Sequence, residues 1–167
     1  FSILVLVLAS SQALMFTFTL ILLFDSRYVT FANVMKHAAP SLVFILLYVV
    51  SCCIEADVCV YSLAEWRACV VHNLPLAVRT LFGVTYTVQL FVYVRLFFRK
   101  KHRYITHLKE LTGECISKLE LRWTMRAFLY ALSIGIGAWV LLVCPGPIPE
   151  FSFSFLIVVF YPAFAWL

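Results

Sequence analysis

Residues 2–24 read SILVLVLASSQALMFTFTLILLF, a run without one charged side chain. At about 1.5 Å per residue, a helix of this length covers the roughly 30 Å hydrocarbon core of a bilayer. No basic residues precede the run, and it is longer than the apolar core of a signal peptide, so it reads as a membrane span. The rest of the chain repeats the pattern. Of 167 residues, 64% are hydrophobic and 13% are charged, whereas a soluble domain carries roughly a quarter of its residues as charges. So few charges cannot cover a water-facing globule of this size, and a bilayer resolves the shortfall.

The expected fold is all-α: a single transmembrane helical domain, a polytopic bundle of about five spans. These fall at residues 2–24, 40–62, 75–98, 127–144 and 152–167. Pro40 is read as first-turn proline, where its missing N–H costs nothing. The run Cys144-Pro145-Gly146-Pro147-Ile148-Pro149 stops the fourth span, since three prolines in five positions cannot continue a helix. Pro162 is expected to kink the fifth. Strict apolar–polar alternation is missing, which argues against a membrane β-barrel. The ends, Phe1 and an apolar run closing on Leu167, read as those of a piece of a longer chain.

Lys and Arg give the orientation. Arg27 and Lys36 lie in the first loop, and nine basic residues lie between Arg95 and Arg126, so eleven of the 13 fall on one side. The positive-inside rule assigns that side to the cytoplasm, or to the matrix or stroma of an organelle. Within this loop Arg99, Lys100, Lys101, His102 and Arg103 directly follow a span. Ile105, Leu108, Leu111, Cys115, Ile116 and Leu119 then recur at spacings of three and four, the stripe of an amphipathic cytoplasmic helix between the third and fourth spans. Gly113 weakens it, and Glu114 and Lys118 form an i, i+4 pair. Arg99, Lys100, Lys101, Arg103 and Lys109 are candidate contacts for anionic lipid headgroups or a partner protein. The same residues also suit an ordinary topogenic stop signal. Nucleic acid is a poor partner for a basic run that abuts a span.

Ionisable groups at or within spans are the next candidates. Glu55 and Asp57, read as helical, point about 200° apart and cannot form one paired-carboxylate site. Near the outer interface they could ring a pore mouth or bind a cation, or simply meet water with Arg67 nearby. Gln89, with Thr85 and Tyr86, is expected to bond to neighbouring helices or to line a cavity. Arg79 and Arg95 are expected to extend toward opposite headgroup regions. Gly135 and Gly137 give the fourth span a small-residue patch for close helix contact. His37, His72, His102 and His107 show no metal-ligand spacing. The six cysteines form no CxxC pair and read mostly as small hydrophobes, with a Cys59–Cys69 disulfide left open. No catalytic constellation, cofactor motif or metal set emerges, so the chain is not read as an enzyme.

A more specific likeness rests on three stretches. Leu96-Phe97-Phe98-Arg99-Lys100-Lys101 ends a span, His107-Leu108-Lys109-Glu110-Leu111 follows, and Arg126-Ala127-Phe128-Leu129 opens the next span. From about residue 40 onward this layout resembles the first half of the insect gustatory and odorant receptor family. That resemblance implies seven spans, a cytoplasmic N-terminus and a tetrameric ligand-gated cation channel, in which the second to fifth spans here match the family's first to fourth. The five-span parity also resembles the last five helices of a G-protein-coupled receptor, with Asp25-Ser26-Arg27-Tyr28 after its third helix. The expectation is therefore a receptor- or channel-type polytopic protein of the plasma membrane or an organellar membrane, with lipids and other subunits or further copies as partners. The alternative is a non-catalytic accessory subunit of a larger assembly such as a respiratory complex.

Overall fold

The computed structural model describes residues 3–112 and 122–143, together with 151–153, 155, 158 and 159. The fold is all-α. Five continuous helices are seen among the described residues: α1 (Ile3–Phe24), α2 (Phe31–Ile54), α3 (Leu63–Cys69), α4 (Leu74–Thr112) and α5 (Arg122–Val143). Three segments among the described residues are long and apolar enough to cross a membrane: Ile3–Phe24, Phe31–Ile54 and Leu74–Leu108.

α1 packs against α2, α4 and α5, and α4 packs against α1, α2 and α5. The buried residues of α1, Leu6, Ala9, Ser10, Thr17, Phe18, Leu20 and Ile21, recur at spacings of three and four and so share one side. Ala9, Ser10 and Thr17 are small, which lets neighbouring backbones come close where no aqueous hydrophobic effect drives helices together. The Ser10 hydroxyl donates to Val7 O at 3.1 Å, so it reaches the interface already satisfied.

Two core clusters mark the two ends of the bundle. One gathers Leu6 and Ala9 with Phe82, Tyr86, Ile134, Ala138 and Phe153. The other gathers Leu20 with Phe97, Ala127 and Phe128, whose last two aromatic rings stack in parallel at 3.9 Å. Low numbers of α1 thus meet low numbers of α4 and high numbers of α5. α1 and α4 run the same way, and α5 runs opposite. Phe44 stacks on Phe82 at 5.6 Å while His37 lies against Tyr93, which makes α2 antiparallel to α4.

α2 differs from the expected second span at both ends. It starts at Phe31, because Thr30 caps it and accepts from Asn33 N, and Pro40 lies in its interior. It ends at Ile54, where Glu55 turns extended (φ −143°, ψ 145°). Lys36 and His37 sit in its first two turns. Their polarity suggested a loop, but a helix end at headgroup level tolerates both.

α4 differs more. The helix expected to stop near Phe98 continues without a break to Thr112, 39 residues in all. Nothing between Arg99 and Thr112 breaks a helix, and Arg, Lys, Leu and Glu are good helix formers. At roughly 58 Å it is about twice the thickness of the hydrocarbon core. The expected separate amphipathic helix is therefore, as far as Thr112, an extension of the third span. α5 is likewise already helical at Arg122, more than a turn before the expected Ala127. The stripe beyond Leu111, the proline turn at 145–149 and most of span 152–167 lie outside the described residues.

Candidate functional site

Polar residues collect at the two ends of the bundle, and at both ends they tie helices together. At the first end α2 gives way to an irregular connector, residues 55–62, before the short helix α3. Ser62 caps α3 by accepting from Glu65 N at 3.2 Å, and Glu65 Oε2 accepts from Tyr61 N, an arrangement close to a capping box. Trp66 Nε1 donates to Thr80 Oγ1 at 3.1 Å and holds α3 against α4.

Asn73 starts α4. Its Oδ1 accepts from Leu76 N at 3.0 Å and its Nδ2 donates to Ala56 O at 3.0 Å. Glu55 Oε2 accepts from Leu74 N at 2.9 Å, so a carboxylate sits at the positive end of the α4 dipole. Asp57 Oδ2 receives both the Tyr48 hydroxyl at 2.7 Å and Arg79 Nη1 at 3.0 Å. Arg79 Nη2 donates to Val58 O at 3.1 Å. The side chains of this ion pair are 4% and 23% exposed. Asp57 Oδ1 is buried and accepts no hydrogen bond.

Glu55 and Asp57 face different partners, but the expected helical separation of about 200° does not apply to them. Both lie beyond the helix, so helical periodicity does not govern them. Arg79 is buried and paired with Asp57, and Arg67 is not Asp57's partner in that pair.

Gln89 lies about midway along α4 between Arg79 and Lys100. Its Nε2 donates to His37 O at 3.1 Å, and its Oε1 accepts from Ser41 Oγ at 3.4 Å. It therefore joins α4 to α2. Tyr86 joins α4 to α5 through a 3.3 Å bond from its hydroxyl to Gly135 O. Thr85 turns back to Leu81 O on its own helix. Gly135 permits the close approach: a Cβ there would stand 2.8 Å from Leu90 Cδ2 and 3.2 Å from the Tyr86 hydroxyl.

At the second end Lys100 Nζ lies 2.7 Å from Asp25 Oδ2 and 3.8 Å from the centroid of the Tyr28 ring. The hydrogen bond from Lys100 holds the Asp25 carboxyl below its ordinary value of 3.8, and Tyr28 N adds to the effect. Tyr28 Oη is 3.5 Å from His37 Nε2. Of the basic-run candidates, Arg99 and Arg103 are exposed, Lys101 is half-buried and Lys100 is turned inward. Lys109 lies on the same helix.

No protein-family model, curated protein or solved structure matches this chain. Among the described residues no three His, Cys, Asp or Glu side chains are grouped to hold a metal, and no catalytic constellation is found. Cys52, Cys53, Cys59 and Cys69 are free thiols, so Cys59 and Cys69 are not joined.

Sequence reasoning singled out Glu55, Asp57 and Gln89 without their partners, named Asp25 and Tyr28 only through the receptor likeness, and did not single out Tyr48 or Asn73. The available signal was positional. Asp25 directly follows one uncharged run, and Lys100 belongs to the basic cluster that follows another.

Proposed function

We propose that this chain is a receptor- or channel-type polytopic membrane protein, or a large piece of one. The observation that carries the proposal is the Arg79–Asp57 pair. Removing a guanidinium and a carboxylate from water costs several kcal/mol per ion, and apolar packing would join the same elements at lower cost. Such a pair suits a registry or switch element, in which a ligand or ion competes for one partner. Asp57 Oδ1, buried without a hydrogen bond, is an acceptor for which a cation or a ligand N–H can compete. The likeness of residues 96–101, 107–111 and 126–129 to insect gustatory and odorant receptors supports the same reading. It makes the working protein an oligomeric cation channel with the Asp25–Lys100 end in the cytoplasm.

The test is conductance. The full protein is reconstituted in planar bilayers and compared with Asp57→Asn and Glu55→Gln. A cation current altered by either substitution is expected. No current, or a current indifferent to both substitutions, contradicts the proposal.

One observation favours a second reading, a non-catalytic subunit of a larger membrane assembly. Ser51 is the one buried residue of α2, and Leu42, Leu46, Val49 and Val50 are exposed along it, a face open to partner helices. Co-purification with a large complex in mild detergent supports this reading, and a lone monodisperse species contradicts it.

A further inference from the structure

A cleft of about 450 Å³ lies between α4 and α5, lined by Thr87, Leu90, Phe91, Val94, Leu132 and Ile136. Its volume falls in the range of small-molecule sites, roughly 300–1,000 Å³. The lining is apolar apart from the Thr87 hydroxyl, which is already committed to Gly83 O at 2.9 Å. Water in the cleft would find no polar partner, so the space suits hydrocarbon. It opens sideways: Phe91 is 73% and Ile136 51% exposed, on the flank that faces the bilayer if these helices span it.

The cleft also points toward charge. Arg95 is one helical turn beyond Phe91 on α4, with Arg99 one turn further, and Arg122 and Arg126 open α5 at the same end. All four are exposed. At about 1.5 Å per residue, Thr87 lies about 18 Å below Arg99, close to the depth of one hydrocarbon leaflet, roughly 15 Å. Phe98 and Phe128, with rings 6.0 Å apart, close the gap between the helices at a level beyond Arg95 and before Arg99. A chain seated in the cleft therefore leaves along the exposed flank, past Arg95.

We propose that this cleft and its arginine rim form a binding site for an anionic phospholipid, with one acyl chain between α4 and α5 and the phosphate-bearing headgroup on Arg95, Arg99 and the start of α5. An exposed basic residue at the headgroup level attracts such a lipid, and the preformed apolar groove gives the contact a fixed place. The site rests on these helices crossing a bilayer and is independent of whether the protein conducts ions.

The experiment uses the full protein in phosphatidylcholine vesicles carrying either spin-labelled phosphatidylglycerol or spin-labelled phosphatidylcholine, the label near the end of the acyl chain. Wild type should show a motionally restricted component that favours the anionic lipid and weakens with salt. Arg95→Gln and Arg99→Gln should each lower that preference about fivefold, the factor equivalent to the attraction of one basic residue near the surface. Ile136→Trp, which fills the cleft from its exposed side, should release the restricted chains of both lipids. Equal restriction of the two lipids by wild type overturns the proposal. So does a preference that survives both arginine substitutions in protein with wild-type helicity, or restriction unaffected by Ile136→Trp. Disulfide-linked dimers formed by Phe91→Cys, whatever the lipid, would assign the cleft to a second copy of the chain and also overturn the proposal.

Discussion

Lys100 reaches back from the far part of α4 to Asp25, its Nζ 2.7 Å from the carboxylate just past the end of α1. At about 1.5 Å per residue, Arg79 stands about 31 Å before Lys100 on the same helix, and it closes a second ion pair with Asp57. The hydrocarbon core of a bilayer is roughly 30 Å thick. The two pairs are therefore spaced along α4 by about one membrane thickness, and each binds that helix to the segment just beyond the end of another apolar helix, α1 or α2.

The buried pair should behave asymmetrically. Arg79→Gln leaves Asp57 with its carboxylate buried beside Tyr48, and it should destabilise the protein by about 3 kcal/mol. The double substitution Asp57→Asn with Arg79→Gln should recover part of that loss, because neither charge is then stranded. Thermal unfolding of both single variants and the double variant in one detergent gives the coupling; additive losses would mean that the pair contributes no more than its separate packing.

Asp25 predicts an acid-side effect. Its folded carboxyl is held below 3.8 by Lys100, so its contribution to stability is fully present above that ordinary value. It is lost as the pH falls through the lower, folded value. The stability advantage of wild type over Asp25→Asn should be flat between about pH 7 and pH 5 and should shrink below about pH 4. Because the Asp25 side chain is 35% exposed, the advantage should be small and should weaken with salt. Melting temperatures of the two proteins across this range check it.

Gly135 sets the α4–α5 distance. Gly135→Ala requires the end of Leu90 to move and the Tyr86 hydroxyl to give by a few tenths of an ångström, and it should cost about 1 kcal/mol. Gly135→Leu drives a whole side chain into the same contact and should cost more, up to about 3 kcal/mol, as the helices separate. Unfolding midpoints rank the two; equal effects would place the close contact elsewhere.

Gln89 should matter through geometry rather than charge. Gln89→Leu removes both bonds to α2 and should cost about 1 kcal/mol, whereas Gln89→Glu loses the donor to His37 O and should cost more. Comparing the two in the same unfolding assay separates a tie between helices from a mere lining position.

The apolar helices were legible wherever charge was absent for long enough, as in residues 2–24, but the end of α2 at Ile54 was not, since the second span was expected to run on to residue 62. The errors came from local rules applied without tertiary context. Pro40 looked like a first-turn residue, but Thr30, ten positions earlier, supplies the cap. The basic run looked like the end of a helix because it leaves the membrane, yet leaving hydrocarbon does not unwind a chain of good helix formers. Pairings were least legible. Asp25 and Lys100 are 75 residues apart, and nothing local links them. Asp57 and Arg79 required a path through an irregular connector whose conformation depends on Asn73 and Glu55 gripping it.

The central claim is that the Asp25–Lys100 end and the Asp57–Arg79 end lie on opposite faces of a membrane. Labelling sealed, right-side-out vesicles with a membrane-impermeant maleimide tests it, using a cysteine-free background carrying either native Cys59 or Arg27→Cys. Cys59 should react from outside, and the position-27 thiol should react only after the vesicles are opened. Labelling of both thiols from the same face of intact vesicles would contradict the claim.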